Sequence, residues 1–293
     1  MVEHLLPTTS AFLEADVAAR IAHIRAPRWI GHPGASAAHV AMQQLLERPS
    51  SLRPRGLLLA GPYHNGKTMI AERFAVEHLR RVDRQRVWVI QTREGAGLSH
   101  FYASILSGLR APQAAGWRSL SRASEQVDHL LDSLKPRLLI FDEFHSALRG
   151  RRQDVKAIFS FLRRIARVHD ISPVLVGEIA VYDALHDTEE MGSRFDTVPV
   201  PRWGFDEDFA TLLDSLEASM PLAHASNLSR PPLARMIHDL SEGLIGEVVD
   251  IVTRGAVAAV ENGEERITSS TIMALGYVPL SRRRNSNLRH AMT

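Results

Sequence analysis

The stretch Gly61-Pro62-Tyr63-His64-Asn65-Gly66-Lys67-Thr68 has the form Gly, four residues, then Gly-Lys-Thr. Those types at that spacing suit a phosphate chain. Gly61 and Gly66 allow a tight wrap that turns successive backbone N–H groups toward one point. A helix beginning near Lys67 would add the partial positive charge of its N-terminus. Lys67 is expected to reach β- and γ-phosphates, with the Thr68 hydroxyl on Mg2+. Pro62, Tyr63, His64 and Asn65 make up the loop, and Met69 follows it on the helix, so nucleotide contacts are expected from Gly61 through Met69. His64 reads as a variable loop residue rather than a catalytic one.

A second pair of chemical interest is Asp142-Glu143, closing the apolar run "LLIFDEFH". Carboxylates at the end of a buried parallel strand stand at the sheet edge where ligands bind in open α/β sheets. Asp142 is expected to hold Mg2+ through water, and Glu143 to orient and polarise an attacking water. That acid pair favours hydrolysis over phosphate transfer to a small molecule. Together the two motifs predict binding of ATP or GTP with Mg2+, followed by hydrolysis. Arg194, in "MGSRFDTVPV", could enter a neighbouring subunit's γ-phosphate pocket and stabilise transition-state charge. Taken alone, such an arginine is more often a salt-bridged surface residue.

Positioning these groups needs strands before them and helices after them. "GLLLA" (56–60) reads as a buried parallel strand, and "TMIAERFAVEHLRR" as the amphipathic helix that follows. The alternation continues with "RVWVIQT" (86–92), "GLSHFYASILSGL", "SEQVDHLLDSL", "RLLIFDEFH" (137–145), "DVKAIFSFLRRIARVHD" and "SPVLVGE" (172–178). "TVPVPRW" (197–203) is expected to be the last strand, short and broken by prolines. The pattern predicts a parallel α/β sheet sandwiched by helices. From about residue 204 only helical segments follow, among them "DEDFATLLDSLEASM", "PPLARMIHDL" and "EGLIGEVVDIVTRGAVAAVENG". The expected organisation is an N-terminal helical arm with a lead-in (1–55), a phosphate-loop core (56–203), a small helical lid (204–278) and a basic, flexible tail (279–293). Ser10 and Ser36 are the expected helix N-caps of the arm.

Composition narrows the class. The chain has 293 residues, 45% hydrophobic and 23% charged, which suits a packed core rather than disorder. No uncharged apolar run approaches the roughly 20 residues of a membrane span. "MVEHLLPTTSAFLEAD" carries an early acid and no basic start, making it a poor signal peptide, and a cytoplasmic protein is expected. With no cysteine, disulfides, thiolate metal sites and a cysteine nucleophile are excluded. Of 35 basic residues only Lys67, Lys135 and Lys156 are lysines. Genomic base composition is the plainer explanation of that bias, although arginine also binds phosphate by two-pronged contacts.

The order of these elements resembles the AAA+ ATPases, and in detail the TniB and TnsC regulators of DNA transposition. The segments that carry the resemblance are "RWIGHPGASAAHVAMQQLLERPSSLRPRGLLLAGPYHNGKT", "LLIFDEFH", "PVLVGE…ALHD", "SRF…VPRW" and "SEGLIGEVVDIV", across about residues 28 to 255. The phosphate loop and Asp-Glu strand are common to many ATPases, whereas the "IGHP" lead-in, "SRF…W" and "GLIGE" are more particular to TniB. The resemblance implies a P-loop AAA+ sheet with a helical lid, using ATP and Mg2+. It assigns the loop role to Gly61, Asn65, Gly66, Lys67 and Thr68, the acid roles to Asp142 and Glu143, and an arginine finger acting across a subunit boundary to Arg194. Trp29, Ile30 and Gly31 match the lead-in that flanks the nucleotide base. Implied partners are duplex DNA, further copies of the chain in a ring or helical filament, a DDE-type transposase and a TniQ-like target-selection protein, with no membrane.

Two positions depart from the AAA+ pattern. The fourth strand ends in Gly177-Glu178, where a small polar residue usually senses the γ-phosphate, and the lid carries Glu247 where many relatives place an arginine; Arg254, two helical turns on, reads as a surface residue. Both favour slow hydrolysis, with ATP acting more as an assembly signal. DNA contacts are expected from the cluster Arg149, Arg151 and Arg152 and from Arg93, Arg118 and Arg122, through phosphates and with little base specificity. Arg282, Arg283, Arg284 and Arg289 of the tail could contact DNA or a partner protein. The alternatives are a helicase loader or replication-initiator ATPase, a nucleotide-gated adaptor with negligible turnover, and, more distantly, a small-molecule kinase.

Overall fold

Among the described residues, five short strands build one parallel sheet: β1 (Gly56–Ala60), β2 (Val87–Gln91), β3 (Leu138–Asp142), β4 (Ser172–Gly177) and β5 (Phe195–Pro199). Their spatial order is β2-β3-β4-β1-β5, and every pairing is parallel. The computed structural model describes residues 4–51, 53–82, 84–95, 97–111, 119–187 and 189–283. Within them the chain forms two units, Pro33–Pro201 and the combination of Met1–His32 with Arg202–Thr293.

The first unit holds the sheet and α3 (Pro33–Glu47), α4 (Lys67–Arg81), α5 (Leu98–Gly108), α6 (Leu120–Leu134), α7 (Arg152–His169), α8 (Ile179–His186) and α9 (Glu189–Gly192). β1, β3 and β4 are buried along their whole length, as a sheet covered on both faces requires. An aromatic cluster anchors the end of β3. Phe101 stacks on Phe141 at 5.3 Å and meets Phe144 and Phe161 edge-on at 6.0 and 5.8 Å. Phe141 and Phe144 are both fully buried, so they fix the chain on either side of Asp142 and Glu143. After Glu143 the chain tightens into a 3-10 turn, Phe144–Arg149.

The second unit contains α1 (Pro7–Ser10), α2 (Val17–Arg25), α10 (Glu207–Ala218), α11 (Leu233–Ser241), α12 (Ile245–Glu261), α13 (Ser269–Ala274) and α14 (Leu280–Arg283). Its core gathers Ile24, Phe209, Leu213, Leu216, Ile237, Val248 and Ile251. Arg20 ties α2 down by an ion pair to Glu265 and a 2.7 Å bond to the Pro221 carbonyl. Glu247 is buried and bound by the Tyr277 hydroxyl at 2.5 Å and by the Arg283 guanidinium. Arg254 is exposed and paired with Asp250.

Some boundaries differ from the sequence reading. Ser10 makes no side-chain cap; Asp16 caps α2 instead, accepting from the Ala19 N–H at 2.7 Å. Ser36 lies inside α3, which begins at Pro33, a residue whose fixed φ and missing N–H suit a first turn. β5 runs from Phe195 rather than from Thr197 through Trp203, because Phe195 packs into the core while Pro199 and Pro201 have no N–H for a ladder. α8 and α9 have no counterpart in the sequence reading.

Candidate nucleotide site

The phosphate loop is shaped by close contacts that its sequence permits. A Cβ on Gly61 would run into the carbonyl oxygen of Val200, so glycine is required where β1 turns away. The Gly61 N–H donates to the Gly177 carbonyl at 3.2 Å, tying the loop to the end of β4. Asn65 fastens the other side. Its buried amide donates to the carbonyls of Val200 at 2.9 Å and Pro201 at 2.6 Å, just past β5. Gly66 then adopts a left-handed conformation, φ +79°, and α4 starts at Lys67. The loop is therefore pinned to two strands before any ligand arrives, and it ends on a helix N-terminus.

Lys67 is buried, with Nζ donating to the Pro62 carbonyl at 2.6 Å. Burial pushes its pKa down, while the charges of Glu143, Glu178 and Asp142 pull it back up. Glu178, half-buried directly after β4, thus faces the same lysine as the two acids of β3. Nothing in its spacing alone revealed that proximity. It follows from β4 lying beside both β1 and β3.

Thr68 Oγ1 donates to Asp142 Oδ2 at 2.9 Å. Asp142 is 1% exposed, and its Oδ1 is buried without a hydrogen-bond partner. Burial raises its pKa, against the Thr68 hydroxyl, the Glu143 N–H and the charges of Lys67 and His145. A desolvated carboxylate oxygen with an unused lone pair, beside a hydroxyl, fits a hard divalent cation. Among the described residues no three His, Cys, Asp or Glu side chains converge on a metal site of their own. An ion held by Thr68 and Asp142 would therefore complete its shell with phosphate and water oxygens.

Glu143 is half-buried in the left-handed region, φ +52°, which turns its side chain off the strand's alternation. His145 Nδ1 lies 3.3 Å from Glu143 Oε2 without the alignment of a hydrogen bond, and that nitrogen is buried and unpartnered. Thr92, just past β2, donates its N–H to the Asp142 carbonyl at 3.0 Å, and its buried hydroxyl has no partner. Sequence reasoning passed over His145 and Thr92; the only available signal was their place at the ends of two neighbouring strands. Elsewhere on the loop Tyr63 and His64 are exposed with rings 5.8 Å apart, and Met69 points outward.

Trp29, Ile30 and Gly31 belong to the helical unit, where Ile30 packs on its core and Gly31 lies against the Trp29 indole. In that unit the lead-in, Trp203 and the start of "GLIGE" meet. The His32 and Trp203 rings are 5.1 Å apart, and the Trp203 N–H donates to the Gly243 carbonyl at 2.8 Å. Gly243 has φ +69°, and a Cβ there would strike the Trp203 carbonyl. Arg194 follows α9 and faces Glu190 at 3.5 Å. Arg93, Arg122, Arg149, Arg151 and Arg152 are all exposed. Arg149 lies 4.0 Å from Glu94, and a Cβ on Gly150 would sit 3.3 Å from the Gly97 nitrogen, so the loop after β2 and the 149–152 segment run side by side. Arg118, Arg284 and Arg289 lie outside the described residues.

Comparison with known proteins gives the family and the fold. A family model described as bacterial TniB protein matches residues 20–205. No curated protein matches the chain. Among solved structures, Cdc6p from Pyrobaculum aerophilum superposes with a TM-score of 0.63 at 18% identity, over 83% of this chain and 67% of that one. The Aeropyrum pernix ORC1 protein, solved in complex with DNA, gives 0.66 at 14% identity over 87% and 68%. The ORC2 protein of the same organism, solved as ADPNP and ADP complexes, gives 0.62 at 14% over 85% and 70%. At such identities the likeness carries the fold, which is that of the AAA+ ATPases. No helix among the described residues is long and apolar enough to cross a membrane.

Proposed function

The chain belongs to the TniB family, and from that premise we propose that it is an ATP-hydrolysing, self-assembling protein that binds duplex DNA and marks it for a DDE-type transposase. The observation that carries the reading is the Thr68–Asp142 hydrogen bond beside Lys67 and Glu143, with one Asp142 oxygen left for a cation. The loop amides and Lys67 bind the β- and γ-phosphates. Thr68 and Asp142 would hold Mg2+, which would supply Lewis-acid neutralisation of phosphate charge when bound. Glu143 orients the attacking water and accepts its proton. Arg194, from a second copy, steadies the charge that develops on the transferred group. Trp29, Ile30 and Gly31 flank the base.

Two neighbours lend support from their own contents, one solved with DNA and one with ADPNP and ADP. The exposed arginines at 93, 149, 151 and 152 are the DNA contacts of this reading, with Arg122 and Arg118 beside them. A TniQ-like protein would supply the target. A replication-initiator role draws on the shared fold alone, whereas the family match favours transposition.

The test is electron microscopy of the purified protein on duplex DNA with ATP or ADP, with phosphate release measured in parallel. Rings or filaments on DNA in ATP only, with DNA-stimulated turnover, are expected. Monomers off the DNA with either nucleotide would overturn the reading and leave an adaptor or a kinase-like ATPase.

A further inference from the structure

Glu190, on α9, is held by two arginines, one from α7 and one from the turn just before β5. Arg163 of α7 donates from Nη1 to Glu190 Oε2 at 2.5 Å and from Nη2 to the Ser160 hydroxyl at 3.0 Å. Arg194 approaches Glu190 Oε1 at 3.5 Å. The three border a groove of about 540 Å3 that Arg53, Arg164 and Arg167 also line. Arg164 is committed to Asp128 through two 2.7 Å bonds, so Arg163 and Arg194 are the pair that converges on one carboxylate. Glu190 is exposed, and hydrogen bonding and charge from Arg163, then the charge of Arg194, hold its carboxyl below the usual range, keeping it an anion.

The place of the groove decides what it can serve. Arg194 precedes Phe195, the first residue of β5, and its carbonyl accepts from the N–H of Gly56, the first residue of β1. Arg53 comes just before β1. The arginines therefore stand where β1 and β5 begin, and the phosphate loop stands where β1 ends. Five residues of strand separate the two by about 15 Å, so these guanidiniums cannot reach the phosphates of their own loop. Carboxylate and phosphate are bound by the same planar guanidinium fork. A site that gathers two guanidiniums on a solvent-facing carboxylate is thus already shaped for a phosphate brought from outside.

We propose that Arg163 and Arg194 together form a clamp for the terminal phosphate of a nucleoside triphosphate bound by a second copy of this chain, and that Glu190 holds the two guanidiniums until that phosphate displaces it. The proposal rests on the reading of Arg194 given above and adds Arg163 and Glu190 to it. Assembly and phosphate capture then become one exchange, in which Glu190 leaves both arginines as the triphosphate enters. ADP has no group to make the exchange, so ADP-loaded neighbours leave the clamp closed on Glu190.

Subunit mixing tests this. Arg163→Ala is expected to bind a fluorescent ATP analogue within about twofold of the parent protein and to lose about tenfold or more in DNA-stimulated turnover. Mixed with Glu143→Gln subunits, which bind ATP and assemble but do not turn it over and whose arginines are intact, the Arg163→Ala loops should recover a large part of that turnover, which also shows that the variant is folded. Glu190→Gln keeps the shape but removes the competing charge, and should bring half-maximal assembly to an ATP concentration several-fold lower. Unchanged turnover in Arg163→Ala, loss without recovery in the mixture, or a loss confined to DNA affinity would each overturn the clamp, the last by making the groove a nucleic-acid contact. Arg194→Ala is carried in parallel. If it too fails to recover in mixtures, the subunit-boundary reading itself falls; if it recovers and Arg163→Ala does not, only the clamp falls.

Discussion

At the scale of single residues, the site is governed by one buried cation among three carboxylates. Lys67 is desolvated, bonded to the Pro62 carbonyl and influenced by Glu143, Glu178 and Asp142. Triphosphate must compete with those acids for it. Lys67→Ala should therefore weaken ATP binding by about 10- to 100-fold, the worth of a charge-assisted hydrogen bond, and abolish assembly with it. Glu143→Gln should separate the two functions: nucleotide binding and ATP-dependent assembly persist, while phosphate release falls by about 100- to 10,000-fold. Loss of assembly in Glu143→Gln would remove the water-activating role from that residue. Glu178 offers the opposite sign. Its charge helps to keep Lys67 protonated but repels phosphate, and it sits half-buried where solvent screens part of both effects. Glu178→Gln should tighten ATP binding by about fivefold, roughly 1 kcal/mol, read by titration of a fluorescent analogue. Weaker binding would mean that Glu178 serves the lysine more than it opposes the phosphate.

At the scale of elements, one carboxylate knots together the edge of the sheet where the strands begin. Asp170 closes α7 in a left-handed conformation, and it accepts from Arg48 at 2.7 Å, from the Ser51 N–H at 3.3 Å and from Arg137. The ends of α3 and α7 and the approach to β3 meet on it. Burial alone would raise its pKa, but bonds from Arg48, Ser50, Ser51 and Arg137 overcome that and hold it at about 2. Since an unfolded aspartate titrates near 3.9, the folded state binds the proton less tightly, and this stability is present above about pH 5 and lost as pH falls toward 2. Its side chain is about a quarter exposed, which screens the effect, so Asp170→Asn should cost about 1–2 kcal/mol at pH 7. Urea unfolding at pH 7 and at pH 3.5 checks both size and sign: the gap between parent and variant should narrow at the lower pH. The same edge shows what sequence could and could not reveal. β1 is legible residue for residue because an all-apolar run lies between turn-forming glycine and proline neighbours. The phosphate loop and the Asp142-Glu143 pair are legible because their chemistry sits in contiguous sequence. α8 and α9 were not legible, being short and without a sustained apolar period, and β5 was misplaced because tertiary packing of Phe195 outweighed the local prolines. His145 and Glu190 gain their meaning only from neighbours far along the chain, whereas Glu178 is marked by its place after the fourth strand and only its pull on Lys67 needed the fold.

At the scale of the whole molecule, a formal charge of +2 hides a division of basic groups between two edges of one sheet. Where β1 and β5 begin, Arg163 and Arg194 are engaged with Glu190. Past the ends of β2 and β3, Arg93, Arg149, Arg151 and Arg152 are exposed on adjacent segments, with Arg149 no closer than 4.0 Å to Glu94. Only the second set is disposed for a polyanion that lies along a surface, and several copies side by side would repeat it along a duplex. Contacts of this kind go to phosphates, release condensed counterions and carry little sequence information. Each neutralised phosphate contributes about 0.9 to the slope of log affinity against log salt. Replacing Arg149, Arg151 and Arg152 by alanine should therefore lower that slope by about 2–3 per subunit, measured by anisotropy with a labelled duplex between 50 and 200 mM salt in ATP. Affinity should fall alike for unrelated sequences, and ATP binding should stay near that of the parent because none of the three touches the phosphate loop. A slope unchanged by the triple substitution would move the DNA contact off this edge. A slope lowered only in ATP and not in ADP would tie the DNA contact to assembly, since isolated subunits present one such cluster and an assembly presents a row of them.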